Sequence, residues 1–465
     1  MVLSPATGNV ESIRALVRWL RMKIALIAMS GVRVCNEELT RVGMTLPGFV
    51  ERSKVIASLP SLSLLTLAGM TPGRFDVEYH EIADLRDATT LPECDLAAIS
   101  TYTAQAKDAY ALAARYREMG VATVMGGLHA TVLPDEVLRH CDAVVVGEGE
   151  LSWPTLLEDA EQGRLRRRYE PNGRQFDLAD APMPRFDLAL PTKYNRFTVQ
   201  TQRGCPRRCE FCASSVLLSR HYKVKPVAKI MDEIRAIKRI WPRPFIEFAD
   251  DNSFINRNHA RLLMDELGGE DVRWFAETDI SIADDADLLA RMRAAGCAQL
   301  LIGLESPTAA GVDALELRRN WKRTRYEGYK AAIERIQSAG IAVIGCFILG
   351  LDGDTVEVFD EVWRFVEESG LHQVQITVLT PFPGTPLHAR LRAERRLLDD
   401  EPWERSTLFD VNFEPLHMTV EELEYGLVEL ARRLYSDEAT HRRRSAFRKQ
   451  ARRSIHSRTV RRKSK

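Results

Sequence analysis

No apolar run in the sequence approaches the roughly 18 residues that a membrane-spanning helix requires. The start, Met1 to Leu20, places its apolar residues at helical spacing with arginines between them, so we expect no secretory signal there. Cysteine is also sparse: five of the eight cysteines are scattered, which argues against a disulfide framework and indicates a reducing compartment. We therefore expect a cytoplasmic protein.

An excess of charge of one sign is absent from the chain as a whole. It has 65 Lys+Arg and 65 Asp+Glu in 465 residues, with 45% hydrophobic residues, as in ordinary globular proteins of two or three domains. The charge is nevertheless uneven, because every residue with a formal charge from Arg442 to Lys465 is basic. We expect residues 441–465 to be a disordered, solvated tail. Peripheral contact with an anionic membrane is the alternative, and we expect no nucleic acid partner.

The first third of the chain alternates short apolar segments with helical stretches. Five segments read as strands, at 23–29, 77–82, 94–100, 121–127 and 143–147. Continuous apolar, β-branched runs are typical of parallel strands buried on both faces, so the pattern predicts a doubly wound (Rossmann- or flavodoxin-like) α/β sheet. Small residues follow several strands, at the edge where such a sheet binds its ligand.

A second series of strands and helices follows a Pro- and Asp-rich linker at 161–194. Its strands are expected at 197–201, 244–251, 272–278, 299–306, 342–350 and 373–381. Helices such as 227–240, 286–295 and 326–339 separate them. Six parallel strands with intervening helices predict a partial (β/α)₆ TIM-like barrel, whose active site lies at the carboxyl ends of the strands.

Three cysteines lie together in the loop after the first strand of this series. Cys205, Cys209 and Cys212 have the spacing C-x₃-C-x₂-C. Three thiolates can hold three irons of a [4Fe–4S] cluster and leave one iron open for a small molecule, whereas a ferredoxin closes its cluster with four cysteines. A zinc site is the alternative; it would need a fourth ligand, and His221 is the nearest candidate.

The cysteine spacing, with Phe211 before the last cysteine, resembles that of the radical S-adenosylmethionine (SAM) enzymes. The resemblance implies that the three cysteines hold a cluster whose open iron takes the amino and carboxylate groups of SAM. It also implies that SAM or substrate is contacted by Phe211, Asp250, Asp251, Glu277 and Glu305. From the residues alone, the two aspartates could equally cap the helix that follows, and Phe211 could serve only to shield the cluster.

The segment Gly126-Gly127-Leu128-His129-Ala130-Thr131, with residues 134–136 and 142–150, resembles the end of the cobalamin-binding domain of cobalamin-dependent radical SAM enzymes. The resemblance covers roughly residues 23–390, in the family's order. It implies a cobalamin at the edge of the first sheet. The residues expected to contact it are Ser30, Ser100, Thr101, Gly126, Gly127, His129, Gly147, Glu148 and Gly149.

One departure concerns the loop after the first strand. Cobalamin domains of the methionine-synthase type carry Asp-x-His-x-x-Gly there, and the histidine ligates cobalt from below. This loop reads Ser30-Gly31-Val32-Arg33-Val34-Cys35 and has no histidine. The radical SAM branch often lacks that ligand, which implies weaker retention of a cobalt-bound methyl group. His129 would then meet the corrin rim or the nucleotide, or stabilise a turn.

The expected organisation is an N-terminal helix (1–22), the cobalamin-binding domain (23–160), the linker (161–194), the radical SAM core (195–395) and a small helical C-terminal extension (396–440). The extension leads into a helix over 420–435. It resembles that of the hopanoid methylases and, less closely, of the bacteriochlorophyll side-chain methylases. This resemblance favours an apolar or polycyclic substrate.

The resemblance implies an enzyme with three cofactors: a [4Fe–4S] cluster, SAM and cobalamin. Reductive cleavage of SAM would give a 5′-deoxyadenosyl radical that activates an unactivated carbon of a small-molecule substrate, and methylcobalamin would supply the methyl group. The electron would come from a low-potential donor of the flavodoxin or ferredoxin type.

Three other functions stay open from the sequence. The same architecture could perform cyclisation, rearrangement or oxidation without methyl transfer. RNA methylthiolation would use the basic tail, but residues 1–150 contain no second cysteine triad for an auxiliary cluster. A non-catalytic cobalamin sensor with a structural cluster is the third.

Overall fold

The computed structural model describes residues 21–30, 34–42, 59–213 and 221–463. Residues 1–20, on which most of the expected N-terminal helix falls, lie outside the described residues, as do residues 31–33 of the loop after the first strand.

The apolar segments of the first third form one parallel sheet in the order β2-β1-β3-β4-β5-β6. The order reverses between β1 and β3, so the sheet is doubly wound, as predicted. Its strands are β1 (Lys23–Met29), β2 (Asp76–Ile82), β3 (Leu96–Ser100), β4 (Ala122–Gly126), β5 (Ala143–Val145) and β6 (Arg168–Tyr169). Its helices are α1 (Glu37–Val42), α2 (Leu62–Met70), α3 (Ala106–Glu118), α4 (Leu128–Val132), α5 (Pro134–Val137) and α6 (Trp153–Glu161).

Strand β1 shows why the sheet is covered on both sides. Ile24 and Leu26 pack into one apolar layer, whereas Ala25 and Ile27 pack into the other. Alternate side chains of a strand point to opposite faces, so a continuous apolar run buries both faces. The short strand β6 lies in the stretch that we expected to be linker, and it pairs with β5.

The second sheet contains six parallel strands in the order β7-β10-β11-β12-β13-β14, which confirms the partial (β/α)₆ barrel. A short antiparallel pair, β8 with β9, follows the exit of β7. The strands are β7 (Phe197–Val199), β8 (Gln202–Arg203), β9 (Lys223–Val224), β10 (Phe245–Phe248), β11 (Arg273–Thr278), β12 (Cys297–Glu305), β13 (Ala342–Leu349) and β14 (Gln373–Val378). The helices are α7 (Val227–Ile240), α8 (Arg257–Leu267), α9 (Ala286–Ala294), α10 (Trp321–Arg325), α11 (Tyr329–Ser338), α12 (Val358–Ser369) and α13 (Pro386–Ala393).

The C-terminal region consists of two helices, α14 (Val420–Tyr435) and α15 (Asp437–Lys463). Helix α14 has the predicted bounds and starts with a capping box formed by Thr419 and Glu422. The expectation of a disordered tail was wrong for most of its length, because α15 continues as a helix. Its early turns pack on the barrel: Ala439 is buried, and the Gln450 amide donates to the Glu334 carbonyl at 3.2 Å.

Within the described part of the chain, no helix combines the length and apolar character needed to cross a bilayer.

Candidate active site

The loop that carries the three cysteines begins where β7 ends, and Asp250 at the end of β10 fixes its base. Asp250 accepts hydrogen bonds from the Thr201 N–H (2.8 Å), the Gln202 N–H (3.0 Å) and the hydroxyls of Thr201 (2.5 Å) and Ser253 (2.9 Å). Burial raises the pKa of Asp250 to about 6, although these hydrogen bonds oppose the rise. A carboxylate has about four acceptor positions. Four donors occupy them, so Asp250 supports the loop, and its expected contact with SAM or substrate stays a prediction.

The next two residues contact the loop beside Cys205. Asp251 accepts the Gly204 N–H at 2.8 Å, and the Asn252 amide lies 3.6 Å from the Cys205 sulfur. The same Asn252 amide donates to Asp279 at 3.1 Å. The end of β10 therefore supports the cysteine loop through three consecutive residues. The sequence analysis assigned two of them to ligand binding and overlooked Asn252.

Other elements of the barrel hold the far end of the loop. The Leu317 N–H donates to the Arg208 carbonyl (2.8 Å), and the Glu210 N–H donates to the Leu315 carbonyl (2.9 Å). Arg390 of α13 forms a two-armed ion pair with Glu210, with N–O distances of 2.7 and 3.2 Å. The loop is thus supported on several sides before any ligand binds.

The cysteines themselves form no disulfide; Cys209 is buried, and Cys205 and Cys212 are partly exposed. Burial raises the pKa of the Cys205 and Cys209 thiols. Among the described residues no three His, Cys, Asp or Glu side chains converge on one metal position. The donor set fits a cluster chemically, since one supported loop supplies three thiols and leaves a fourth iron to another ligand. The role of each cysteine as a ligand stays a prediction.

The other two carboxylates that were predicted to bind a ligand, Glu305 and Glu277, line the barrel interior and differ in their ion pairing and pKa. Glu305 is buried and its carboxylate pairs with the Lys322 ammonium at 2.7 Å. Lys322 also donates to the Gly303 carbonyl at 2.9 Å. Glu305 is therefore paired with a lysine of the chain, and its contact with SAM or substrate stays a prediction.

Glu277 is only partly buried, and its side chain faces an acidic environment. Burial, with the carboxylates of Glu247 and Asp251, raises the pKa of Glu277 to about 8. Near neutral pH this carboxyl group is largely protonated, so it can donate a hydrogen bond to a ligand. Phe211 packs against the barrel core, and its contact with adenine stays a prediction.

The predicted cobalamin residues lie together at the carboxyl edge of the first sheet, directly after strands β1, β3, β4 and β5. Gly127 shows how closely the loops approach each other. Its φ of +99° and the position of the Thr101 carbonyl, 3.0 Å from where a Cβ would stand, both require glycine. Gly127 therefore lets the loops after β3 and β4 pack closely together at this edge.

Glu148 is paired within the chain, between the two domains. It accepts hydrogen bonds from Arg203 (2.7 Å), Lys223 (2.6 Å) and the Phe176 N–H (2.8 Å). Burial raises the pKa of Glu148, but these hydrogen bonds outweigh it and hold the pKa below its usual range. Arg203 also pairs with Glu150 at 2.6 Å. Glu148 thus joins the two domains, and its contact with cobalamin stays a prediction. Arg203 lies two residues before Cys205.

His129 is completely buried, and its expected contact with the corrin rim or the nucleotide stays a prediction. Its Nε2 lies 2.8 Å from the Tyr110 hydroxyl, and the Trp403 ring packs edge-on at 5.5 Å. Trp403 belongs to the C-terminal extension, 274 positions later in the chain, and it covers the histidine that we expected at the corrin rim.

Sequence reasoning overlooked Tyr102, which follows β3 at the point where the strand order reverses. Its side chain is 62% exposed, although Thr101 and Thr103 on either side are buried. The surrounding protein raises the pKa of its phenol, and the Glu247 carboxylate of β10 adds to the rise. The ring is therefore exposed at the carboxyl edge of the first sheet, within electrostatic reach of the Glu247 carboxylate of β10. The signal was available: an aromatic residue directly after the third strand.

Comparison with known proteins identifies both domains. Residues 53–157 match the B12 binding domain, residues 199–366 match the radical SAM superfamily, and residues 385–465 match a domain of unknown function. The bacteriochlorophyllide d C-12(1)-methyltransferase of Chlorobaculum tepidum is 27% identical over 397 residues, which cover 83% of this chain and 84% of the relative. The hopanoid C-2 methylase of Rhodopseudomonas palustris is 28% identical, over 76% of this chain and 68% of the relative.

A solved structure shows the same fold over nearly the whole chain. The radical SAM methyltransferase TsrM of Kitasatospora setae, with cobalamin and a [4Fe–4S] cluster bound, superimposes with a TM-score of 0.64 at 15% identity, covering 91% of this chain and 90% of that one. The protein is an enzyme in which a B12-binding sheet precedes a radical SAM barrel. It belongs to the cobalamin-dependent radical SAM enzymes, and its cofactors are the [4Fe–4S] cluster, SAM and cobalamin.

Proposed function

We propose that this enzyme methylates an unactivated carbon of a small, apolar or polycyclic molecule. The observation that carries the proposal is the junction at Arg203. This residue lies two positions before Cys205 and pairs with Glu148 and Glu150 at the cobalamin edge, at 2.7 and 2.6 Å. The loop for one cofactor and the edge for the other are therefore joined by direct ion pairs. When bound, the cluster with SAM supplies a carbon radical, and cobalamin supplies a methyl group.

The side chains of the protein hold the cofactor-binding loops and orient the two domains relative to each other. Asp250 and Asp251 hold the cysteine loop, and the Arg203 junction keeps the two domains in register. Tyr102 is exposed at the carboxyl edge of the first sheet, and Glu277 offers a largely protonated carboxyl group inside the barrel near neutral pH. Because orientation of the reacting groups supplies much of the rate in such sites, these positioning contacts are the contribution of the protein.

The test uses anaerobically reconstituted enzyme, a low-potential reductant and SAM labelled with a CD₃ group. The candidate substrates are those of the relatives: a bacteriochlorophyllide and a hopanoid. We expect 5′-deoxyadenosine together with a product that carries the label. An unlabelled product formed together with 5′-deoxyadenosine would show that the enzyme performs cyclisation, rearrangement or oxidation instead of methylation. The Cys205→Ala variant is the control and should form neither compound.

We also propose a cytoplasmic location, a low-potential electron donor of the flavodoxin or ferredoxin type, and peripheral membrane contact through α15. The basic residues from Arg442 onward support the last point, because such segments are attracted to anionic headgroups. The protein should sediment together with vesicles that contain phosphatidylglycerol. It should stay in the supernatant when the vesicles are pure phosphatidylcholine. Equal behaviour with both vesicle types would contradict membrane contact.

A further inference from the structure

One short stretch of the C-terminal extension, Trp403–Asp410, contacts three loops of the first sheet. We call this stretch the C-terminal clamp. The three loops follow β1, β3 and β4, the last including the short helices α4 and α5, and all lie at the carboxyl edge where this family binds cobalamin. The clamp lies within residues 385–465, which match a domain of unknown function.

Asp410 holds the loop that follows β1. Its two carboxylate oxygens accept the N–H groups of Cys35 (2.9 Å) and Asn36 (2.8 Å). The Thr407 hydroxyl donates to the same carboxylate at 2.6 Å, and Asp410 is 4% exposed. Hydrogen bonds to a buried carboxylate are stronger than neutral ones, so this contact fixes two consecutive residues of the loop.

The clamp holds the loop after β3 through the turn Trp403–Arg405. This turn packs on the turn Thr103–Gln105, which directly follows Tyr102. The Glu404 carboxylate pairs with the Lys107 ammonium at 2.7 Å. The Glu404 carbonyl also lies 3.5 Å from the Cys35 sulfur, so the same residue contacts both loops.

Trp403 holds the loop after β4. Its indole N–H donates to the Glu136 carboxylate at 3.0 Å, and its ring covers His129. The Tyr110 hydroxyl donates to the same Glu136 oxygen at 2.7 Å. Trp403 is 4% exposed and packs in an apolar layer of the cobalamin-binding domain, although it comes from the far end of the chain.

We propose that the C-terminal clamp positions the cobalamin-binding loops, with Asp410 and Trp403 as its positioning residues. One segment that contacts three loops fixes their spacing before the cofactor arrives. Loops that are already ordered bind a ligand with a smaller loss of entropy, so the clamp should raise the affinity for cobalamin. The proposal rests on cobalamin binding by this domain and does not depend on methyl transfer.

The test measures hydroxocobalamin binding by the full-length protein, with three clamp variants and a matched control. Asp410→Asn removes the charge of the carboxylate and one of its oxygens. Trp403→Phe keeps a ring over His129 but removes the N–H that reaches Glu136. Asp410→Glu is the conservative variant. Asp360→Asn is the control, because Asp360 pairs with Arg433 of the same C-terminal region at 2.7 Å on an exposed surface away from the clamp.

We expect Asp410→Asn and Trp403→Phe to bind cobalamin about tenfold more weakly than the wild type. Asp410→Glu should recover part of the loss, and Asp360→Asn should bind like the wild type. Iron content and unfolding temperature should stay within the wild-type range in all four variants. Wild-type affinity in both Asp410→Asn and Trp403→Phe would overturn the proposal. Weaker cobalamin binding that comes with a clear loss of iron or a clearly lower unfolding temperature would also overturn the proposal, since the role of the clamp would then be structural. Failure of the wild type itself to bind cobalamin would instead overturn the cofactor assignment and, with it, this proposal.

Discussion

Asp250 directs its carboxylate oxygens at the strand exit that leads into the cysteine loop. Asp250→Ala would leave two buried N–H groups, those of Thr201 and Gln202, without their acceptor. Each unsatisfied donor costs about 1–3 kcal/mol, so we expect the loop to lose order while the barrel stays folded. Iron per chain after reconstitution should fall by about half or more. The control is Asp265→Ala on the exposed surface of α8, which should keep its iron. Full iron in Asp250→Ala would contradict the supporting role.

The raised pKa of Glu277 predicts that the stability of the protein depends on pH. Its pKa is about 8 in the fold and about 4.5 when unfolded, so the unfolded state loses its proton first. The stabilisation by this group is complete below pH 4.5 and is lost as the pH rises through 8. Glu277→Gln keeps the neutral form at every pH. The variant without cofactors should melt like the wild type near pH 4.5 and about 3 °C or more higher at pH 9. Parallel melting curves across this range would contradict the assignment.

The exposed position of Tyr102 predicts that its ring contributes to cobalamin binding. Its exposed ring projects from the edge where the cofactor binds, so Tyr102→Ala should remove a flat contact surface. We expect cobalamin binding about tenfold weaker and a shifted absorption spectrum of the bound cofactor. Tyr425→Ala, which removes a ring that is 69% exposed on α14, is the matched control. An unchanged affinity and spectrum in Tyr102→Ala would place this ring outside the cofactor site.

At the scale of elements, the junction between β8 and the edge after β5 joins the two domains. Arg203→Met would remove the partner that Glu148 and Glu150 share. Small errors in orientation cost reaction rate steeply, so the ratio of methylated product to 5′-deoxyadenosine should fall by about tenfold or more. SAM cleavage and iron content should change little. Arg185→Met, which breaks an exposed ion pair with Asp187, is the control. A constant ratio would show that the junction does not align the two cofactors.

Elements with a local signature could be predicted from the sequence. Strand β1 carries a continuous apolar run, and α14 starts at a capping box; both have the expected bounds. The two-residue strand β6 could not be predicted, because its position depends on pairing with β5 rather than on an apolar pattern. The helix α15 was missed because its charge suggested a solvated tail, whereas the hydrogen bond from Gln450 to the Glu334 carbonyl depends on distant parts of the fold.

Some features of the candidate site could likewise be predicted from the sequence, and others could not. The cysteine spacing and the small residues at strand ends are short patterns, so the domain that binds each cofactor could be predicted. The partners of Glu148, Glu305 and His129 could not, because each is a contact between residues that are distant in sequence. Arg203 lies 55 positions after Glu148, and Trp403 lies 274 positions after His129. A carboxylate expected to bind a ligand was therefore already paired within the chain.

At the scale of the whole molecule, the carboxyl edges of the two sheets are joined in two places. Arg203 and Lys223 join the barrel to Glu148 after β5, and the C-terminal clamp reaches the loops after β1, β3 and β4. The two connections come from different ends of the barrel sequence. Together they hold the cobalamin edge against the cysteine loop, which is the arrangement that a radical site served by a second cofactor requires.

The most direct test of this account is anaerobic reconstitution of the full chain, scored at once for iron, cobalamin and SAM cleavage. The account predicts about four irons and one cobalamin per chain, and 5′-deoxyadenosine that forms only when SAM and a low-potential reductant are both present. Stoichiometric cobalamin without any SAM cleavage by the reduced, iron-loaded protein would contradict it, because the chain would then be a cobalamin-binding protein with a structural cluster.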